Sequence, residues 1–415
     1  MFTLDRIKSL YFFYTCIVLI SFSLSVNVVP LEFRWVLNKL FYVVSFLFLL
    51  FYVYGCSTKL NLKKITFLIA LLIYIVFYSL SKFVNYPSFQ AVANIISGGL
   101  LYSIVLVIFI LSVKVFPVSL ILKPFCFSFI IIISISTFVL LGGDIAFYID
   151  AEAMSFYEKR GGNSSFLGFS GVYLNQNSFA IINFLAMATF IAWYFQLSFV
   201  SFGNRNTWKI FVIIFIFISF IFVLLTLSRS SIMITGLFLL LISLKGSKNK
   251  SVLILSVLVF LALVLVFYML NDLIVGLTER VTQDGTSLRG TIWMDAFLSI
   301  KSNFYFGVGY YNYVNEWGVE LSAHNAYIQR FASDGFFVFM LFISFLLFTL
   351  LRGVKIILFR RFTDNPILII FSVSFISLLI HQFFENIINN PFSPVTLFIF
   401  LIIGFIYQEK LKANE

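Results

Sequence analysis

Long apolar runs, separated by short polar segments, dominate the chain. Most runs reach the roughly 20 residues that an α-helix needs to cross about 30 Å of hydrocarbon. Because backbone amides in lipid must be bonded within their own segment, continuous apolar runs indicate helices, whereas alternating runs would indicate barrel strands. The pattern predicts twelve spans, near residues 10–29, 36–55, 65–81, 92–113, 117–141, 178–197, 210–227, 231–244, 251–270, 335–351, 366–382 and 393–407.

Two of the polar segments between the spans are long. We expect one loop over residues 142–177 and a second over residues 271–335, and long loops in an otherwise economical chain usually carry function. The other connections are short, so residues 1–415 are interpreted as a single transmembrane domain. Only Ser228-Arg229-Ser230 separates the seventh span from the eighth, which favours a tight hairpin, with one long broken helix as the alternative.

The composition excludes a water-soluble fold, because 61% of the residues are hydrophobic and 11% are charged, against about 25% charged in typical soluble chains. We therefore predict an all-α polytopic membrane protein. Cys16, Cys56 and Cys126 have no CxxC spacing and indicate neither a disulfide framework nor a zinc site. The sequence also contains no Walker motif and no cluster of residues with metal-ligand spacing, so we expect a reaction that needs neither metal nor cofactor.

The positive charge of the chain, +11, follows the predicted topology. Arg6 and Lys8 flank the first span and place the amino terminus in the cytoplasm, and no cleavage pattern of a signal peptide follows that span. An even number of crossings returns the carboxyl terminus to the same face, which then collects 18 of the 28 lysine and arginine residues. The charge is therefore explained by the positive-inside rule, and it does not indicate binding to nucleic acid.

Two histidines are the first candidates for chemistry. His324 ends the second long loop just before a helix that enters the membrane, where an imidazole with a pKa of about 6.5 can act as a base. His381 ends the eleventh span, and we interpret it as an interfacial residue that is bonded to its neighbours.

Arg229 is the strongest functional candidate among the arginines. It lies between two apolar spans on the non-cytoplasmic face, where short loops rarely contain arginine. We expect a negative group to meet it. That group is either a loop carboxylate, such as Asp150 or Glu385, or a phosphate, to which a guanidinium presents paired donors. Further arginines lie in the two long loops, Arg160, Arg280 and Arg289, and a solvated surface charge is the better explanation for Arg280.

Several short motifs give the chain a family resemblance. They are Ser228-Arg229-Ser230, Arg289 to Trp293, Phe306-Gly307-Val308-Gly309, Ser322-Ala323-His324-Asn325, Asp334-Gly335, and, in the first loop, Gly168, Gly171 and Asn175-Gln176-Asn177. In their order, spacing and common membrane side they resemble the O-antigen ligase and O-antigen polymerase superfamily of bacterial envelope glycosyltransferases.

The resemblance implies a multi-helical glycosyltransferase fold and an active site on the periplasmic side of the inner membrane. It implies a donor glycan on undecaprenyl diphosphate and metal-independent transfer with inversion. The base that takes the proton of the acceptor hydroxyl would be His324. The diphosphate would be held by Arg229, Arg160 and Arg289, with Asn325, Glu385 and Arg280 as candidate supporting residues. Candidate partners are the lipid-linked oligosaccharide, the lipid bilayer, and a chain-length regulator and flippase of the same pathway.

The sequence leaves the exact function open. A polymerase extends a lipid-linked repeat unit, whereas a ligase transfers glycan to lipid A-core. We favour a polymerase because the second loop has only about 65 residues and the chain is very rich in phenylalanine, with 57 of them. A transporter of the lipid-linked unit would need ionisable residues deep in its helices, and the predicted spans are almost free of charge, with Lys39 inside one of them. A non-catalytic assembly protein is the last alternative.

Overall fold

The structure is a computed structural model, and it describes residues 4–26, 29–55, 62–85, 92, 95–142, 169–173, 176–197, 205–226, 228–246, 293–309, 325–386 and 392–408. Over these residues the regular structure is entirely helical. The helices are α1 Leu4–Ser25, α2 Leu31–Gly55, α3 Leu62–Asn85, α4 Leu101–Val115, α5 Val118–Leu140, α6 Gln176–Leu197, α7 Arg205–Leu225, α8 Arg229–Gly246, α9 over residues 293–302, α10 Ala326–Phe359, α11 Pro366–His381 and α12 Pro394–Tyr407.

The predicted spans agree with these helices. A π-helical turn, Ile95–Leu100, leads into α4, and together they cover the fourth span. The ninth span, 251–270, lies outside the described residues. In the part of the chain that the structure describes, seven helices are long and apolar enough to cross a membrane. The prediction of an all-α polytopic membrane protein is confirmed.

Neighbouring helices alternate in direction, and the contacts at their ends show this. One end of the bundle, called here the long-loop end, is where α6, α8 and α10 begin and α11 ends. There the Ser231 hydroxyl of α8 contacts His381 of α11, and the Ala326 amide of α10 donates to the carbonyl of Gln382. At the opposite end, Lys245 of α8 donates to the carbonyl of Leu358 in α10.

The connection between α7 and α8 is a hairpin. The ring of Phe222, near the end of α7, lies 5.4 Å from that of Phe179 at the start of α6, so α7 ends at the long-loop end. α8 starts there and returns to the opposite end, where it meets Leu358. Of the two alternatives for Ser228-Arg229-Ser230, the structure therefore shows the tight turn and not one long broken helix.

The centre of the bundle is formed by α6, α11 and α12, whose residues are buried on nearly all sides. A helix that is apolar all round can be covered by lipid or by other helices, and here the neighbouring helices cover it. Phenylalanine fills much of this space: the Phe371 ring of α11 packs at 5.8 Å from Phe398 and at 4.8 Å from Phe405 of α12. The long-loop end is thus built on a rigid apolar core.

α10 begins at Ala326, nine residues before the predicted span, and contains a kink at Gly335, where φ is +79°. The turn 303–309 lies against this kink. The Phe336 amide donates to the carbonyl of Phe304 at 2.8 Å, and a Cβ added to Gly335 would lie 2.4 Å from the carbonyl oxygen of Tyr305. Glycine is required here because both the conformation and the close approach exclude a side chain.

Candidate functional site at the long-loop end

Arg229 is the first residue of α8, and its side chain is exposed. Two serines beside it are buried: the Ser228 hydroxyl donates to the Ser231 hydroxyl at 3.1 Å, and the Ile232 amide donates to the Ser228 carbonyl at 2.9 Å. The buried side of the turn is therefore fixed within the bundle, whereas the guanidinium is presented at the surface. The amino terminus of a helix carries partial positive charge, which adds to that of the arginine.

His381 is fully buried at the end of α11 and contacts this turn. Its Nε2 lies 3.2 Å from the Ser231 hydroxyl and 3.4 Å from the Ser230 hydroxyl. The next residue, Gln382, accepts the amide of Ala326 through its carbonyl at 2.9 Å. His381-Gln382 therefore joins the turn that carries Arg229 to the start of α10.

Asn325 is buried and caps the amino terminus of α10. Its side-chain oxygen accepts the amides of Tyr327 at 3.0 Å and Ile328 at 3.1 Å, which satisfies donors that have no partner within the helix. The Tyr327 hydroxyl donates to the carbonyl of Leu379 in α11 at 2.8 Å. The residue that follows His324 is thus held in place by the helix start and by α11.

Glu385 follows α11 and is also buried. Its carboxylate accepts the side-chain amide of Asn177 from α6 at 2.6 Å, and its backbone amide donates to the carbonyl of His381 at 3.1 Å. A buried carboxylate needs such donors, because the loss of hydration is otherwise costly. Glu385 therefore adds α6 to the helices that meet at this end.

The structure thus brings together three of the residues selected from the sequence: Arg229, Asn325 and Glu385. The other four lie outside the described residues: His324, Arg160, Arg280 and Arg289. Among the residues that the structure describes, histidine, cysteine, aspartate and glutamate side chains form no group of three that could hold a metal ion.

A second polar cluster at this end was missed in the sequence. Lys82 in the last turn of α3 lies 2.7 Å from one carboxylate oxygen of Asp334, and Nε of Arg330 lies 3.1 Å from the other. We call Lys82, Asp334 and Arg330 the ion triad; their exposed fractions are 3%, 2% and 6%, respectively. The Arg330 guanidinium also lies over aromatic rings, those of Tyr74, Tyr78, Tyr102 and Phe342, at 5.3 to 5.9 Å.

One sequence signal could have identified part of the triad. Arg330 and Asp334 are four residues apart, which places opposite charges on one face of a helix. The predicted tenth span began at residue 335 and the predicted third span ended at 81, so all three charges fell just outside the helices assigned to the membrane. The structure extends both helices, and the charges become buried.

A comparison with known families matches residues 214–343 to a family model described as O-antigen ligase. The matched segment runs from α7 into α10 and includes Arg229, Arg289 and His324. A comparison with curated proteins gives no match. The resemblance to the O-antigen polymerase and ligase superfamily of bacterial envelope glycosyltransferases is therefore confirmed, and residues 214–343 are the segment that is similar to the O-antigen ligase family.

Proposed function

We propose that the protein is an O-antigen polymerase, which transfers glycan from undecaprenyl diphosphate to a sugar hydroxyl of a lipid-linked repeat unit. One observation carries the proposal: His381-Gln382 joins the turn of Arg229 to the start of α10, the helix that directly follows His324 and Asn325. The turn of Arg229 and the start of α10 both lie within residues 214–343, the segment that matches the O-antigen ligase family model. Arg229, the proposed ligand of the diphosphate, and His324, the proposed base, thus belong to two segments that His381-Gln382 connects through hydrogen bonds.

In the proposed reaction, His324 takes the proton from the acceptor hydroxyl as its oxygen attacks the anomeric carbon. The bond from that carbon to the diphosphate oxygen breaks, and its electron pair remains on the diphosphate. Attack from the face opposite to the leaving group inverts the configuration. A positioned base typically contributes about 10² to 10⁴ in rate.

Arg229, with Arg289 and Arg160, would hold the diphosphate. Charge accumulates on that group in the transition state, and fixed guanidinium groups in a poorly hydrated site stabilise it more than water does. The exposed position of Arg229 at the first residue of α8 suits this role, because a ligand can reach both the guanidinium and the helix terminus.

We place this site on the periplasmic side of the inner membrane. The support is the distribution of charge: Lys245, Arg352, Arg360 and Arg361 lie at the end of the bundle opposite to the long-loop end. Cytoplasmic ends of membrane helices collect such residues. The long-loop end would then face the compartment in which lipid-linked glycans are assembled.

Ligation to lipid A-core is the second candidate, and the description of the matched family as O-antigen ligase favours it. A transporter has less support. In the part of the chain that the structure describes, the buried charged side chains of Lys82, Arg330, Asp334 and Glu385 all lie at the long-loop end, whereas transport sites lie near the middle of the membrane.

Reconstitution of the purified protein in lipid vesicles tests the proposal. The reaction contains purified lipid-linked repeat unit, either alone or with lipid A-core, and the His324→Ala variant is the inactive control. A ladder of lipid-linked products without lipid A-core supports a polymerase, and product only on lipid A-core means a ligase. No transfer to either acceptor would contradict a glycosyltransferase.

A further inference from the structure

We propose that the ion triad of Lys82, Asp334 and Arg330 is a lock that helps to position His324 by fixing the turn 303–309 against α10. The proposal rests on the proposed function of His324 as the base. The triad is buried and would act through the turn 303–309, so its members are positioning residues and not catalytic ones. The triad lies beside the place where three parts of the chain meet: the last turn of α3, the turn 303–309 and the kink of α10.

The turn 303–309 is bound on both sides. On one side, the Ser81 hydroxyl and the Asn85 side-chain amide of α3 donate to the carbonyl of Phe306, at 2.6 and 3.2 Å. On the other side, the Val308 amide donates to the carbonyl of Ala332 in α10 at 2.9 Å. The turn therefore depends on α3 and α10 lying side by side.

The Lys82–Asp334 ion pair links the same two helices next to the turn. Lys82 is the residue after Ser81, and Asp334 precedes the kink glycine, Gly335, whose backbone packs against the turn. Arg330 supports the pair from one helical turn earlier in α10 and is itself held by the hydroxyl of Tyr74 in α3. The carboxylate of Asp334 therefore links α3 to α10 directly beside the kink at Gly335 and the turn 303–309.

The segment 310–324, which ends with His324, connects the locked turn to the cap of α10. The turn before this segment is fixed because Gly307 packs against Gly335. The helix start after it is fixed because Asn325 caps α10 and Ala326 is bonded to Gln382. Fixing the two ends of any chain segment lowers the number of conformations open to the residues between them. The triad would thus lower the number of conformations that His324 samples and raise the population of its reactive position.

The charges of the triad predict that removing Asp334 is more harmful than removing Lys82. Removing Asp334 leaves two buried cations, Lys82 and Arg330, without the carboxylate between them, which is the most unfavourable case. Removing Lys82 leaves the Arg330–Asp334 pair intact. A second substitution, Lys82→Met, should therefore suppress part of the defect of Asp334→Asn, which a purely steric role of these residues would not produce.

The first test measures how closely the turn is held. A single cysteine at Val308, which is half-buried, is introduced into the full chain lacking Cys16, Cys56 and Cys126, and its reaction with a membrane-impermeant maleimide is timed in lipid nanodiscs. We expect about tenfold faster labelling in Asp334→Asn and a rate closer to the unsubstituted triad in the double variant with Lys82→Met. Lys39→Met, which removes an exposed lysine of α2, is the matched control and should change nothing.

Unchanged labelling in Asp334→Asn would overturn the lock. If that variant does not accumulate in the membrane, Lys82→Met replaces it, with an expected increase of about threefold. The second measurement is the rate of transfer, in which a positioning role lowers kcat by about tenfold and leaves KM for the donor within about twofold. Faster labelling with unchanged kcat would overturn the link to His324, whereas a wild-type protein without any transfer activity would overturn the proposed function and leave the labelling result to decide on the lock.

Discussion

The exposed guanidinium of Arg229 is set on a turn that is anchored by the buried Ser228 and Ser231. We expect lysine not to replace it, because an ammonium keeps the charge but loses the paired donors that match a diphosphate. The activity of Arg229→Lys should fall about tenfold or more, which corresponds to about 1.4 kcal/mol of lost transition-state stabilisation. The distribution of polysaccharide chain lengths in cells with equal protein levels measures this.

Arg361→Lys is the matched control for Arg229→Lys, because Arg361 is exposed at the opposite end of the bundle and should tolerate lysine. Wild-type chain lengths in Arg229→Lys cells would show that Arg229 does not clamp a diphosphate.

His324 should be needed as a base and not only as a hydrogen-bonding group. We expect both His324→Ala and His324→Gln to lose at least about a hundredfold in chain extension, since glutamine keeps a donor and an acceptor but takes up no proton at neutral pH. Binding of the lipid-linked donor should change little, because the arginines remain. An active glutamine variant would assign the base elsewhere, with Glu385 the next candidate.

Substitution of His381 should lower the activity less than substitution of His324 does, because His381 acts only by holding the turn that carries Arg229. Replacing it by alanine removes the contacts to Ser230 and Ser231, and we expect a loss of about threefold to tenfold, mainly through a higher KM for the donor. His381→Gln keeps a polar group in reach of these hydroxyls and should restore most of the activity. Equal loss in both variants would assign His381 a role beyond this contact.

Charged residues near the ends of helices differ in how well the sequence predicts their role. Arg229 could be identified because a charge between two apolar runs is conspicuous. The spacing of Arg330 and Asp334 places them on one helix face, but the burial of the triad with Lys82 could not be predicted. Charges at a helix end are usually solvated, and this burial depends on helices that are far apart in the chain.

At the scale of the elements, the kink of α10 offers a direct comparison of two glycines in one helix. A Cβ at Gly335 would lie 2.4 Å from the Tyr305 carbonyl oxygen, and φ there is +79°, so Gly335→Ala should destabilise the protein by about 2 kcal/mol or more. At Gly353 the nearest atom would lie at 3.6 Å, an ordinary contact, and alanine should be neutral or stabilise by up to about 1 kcal/mol. Thermal unfolding in detergent measures both.

The comparison of Gly335→Ala with Gly353→Ala also checks the docking of the turn 303–309. If both variants unfolded at the same temperature, the turn would not pack against the kink.

The pattern of apolar runs predicted the helices well, because a membrane span depends on local length and composition. Its error at α10 has a physical reason: the first nine residues of that helix, 326–334, include polar side chains that are buried by neighbours and not by lipid. The same error shortened α3 by the few residues that contain Lys82. Hydropathy therefore detects the part of a helix within the hydrocarbon and misses its extension at the site.

For the whole molecule, the predicted orientation can be tested with single cysteines. We expect cysteines at Ser247 and Thr363 to be cytoplasmic and those at Asn163 and Gln283 to be periplasmic, since this partition satisfies the positive-inside rule. The background lacks Cys16, Cys56 and Cys126, and impermeant maleimide is added to intact spheroplasts. Labelling at 283 only after the inner membrane is permeabilised would reverse the topology and move the proposed site to the cytoplasm.

The contacts of the matched segment, residues 214–343, with the rest of the chain limit which parts can be exchanged between this protein and a relative. Within residues 214–343, Asp334 pairs with Lys82 and Ser231 contacts His381, and both partners lie outside this segment. A chimera that exchanged only residues 214–343 with a relative would therefore replace one partner of each of these contacts and leave the other unchanged. A functional chimera would require the ends of α3 and α11 to be exchanged together with residues 214–343.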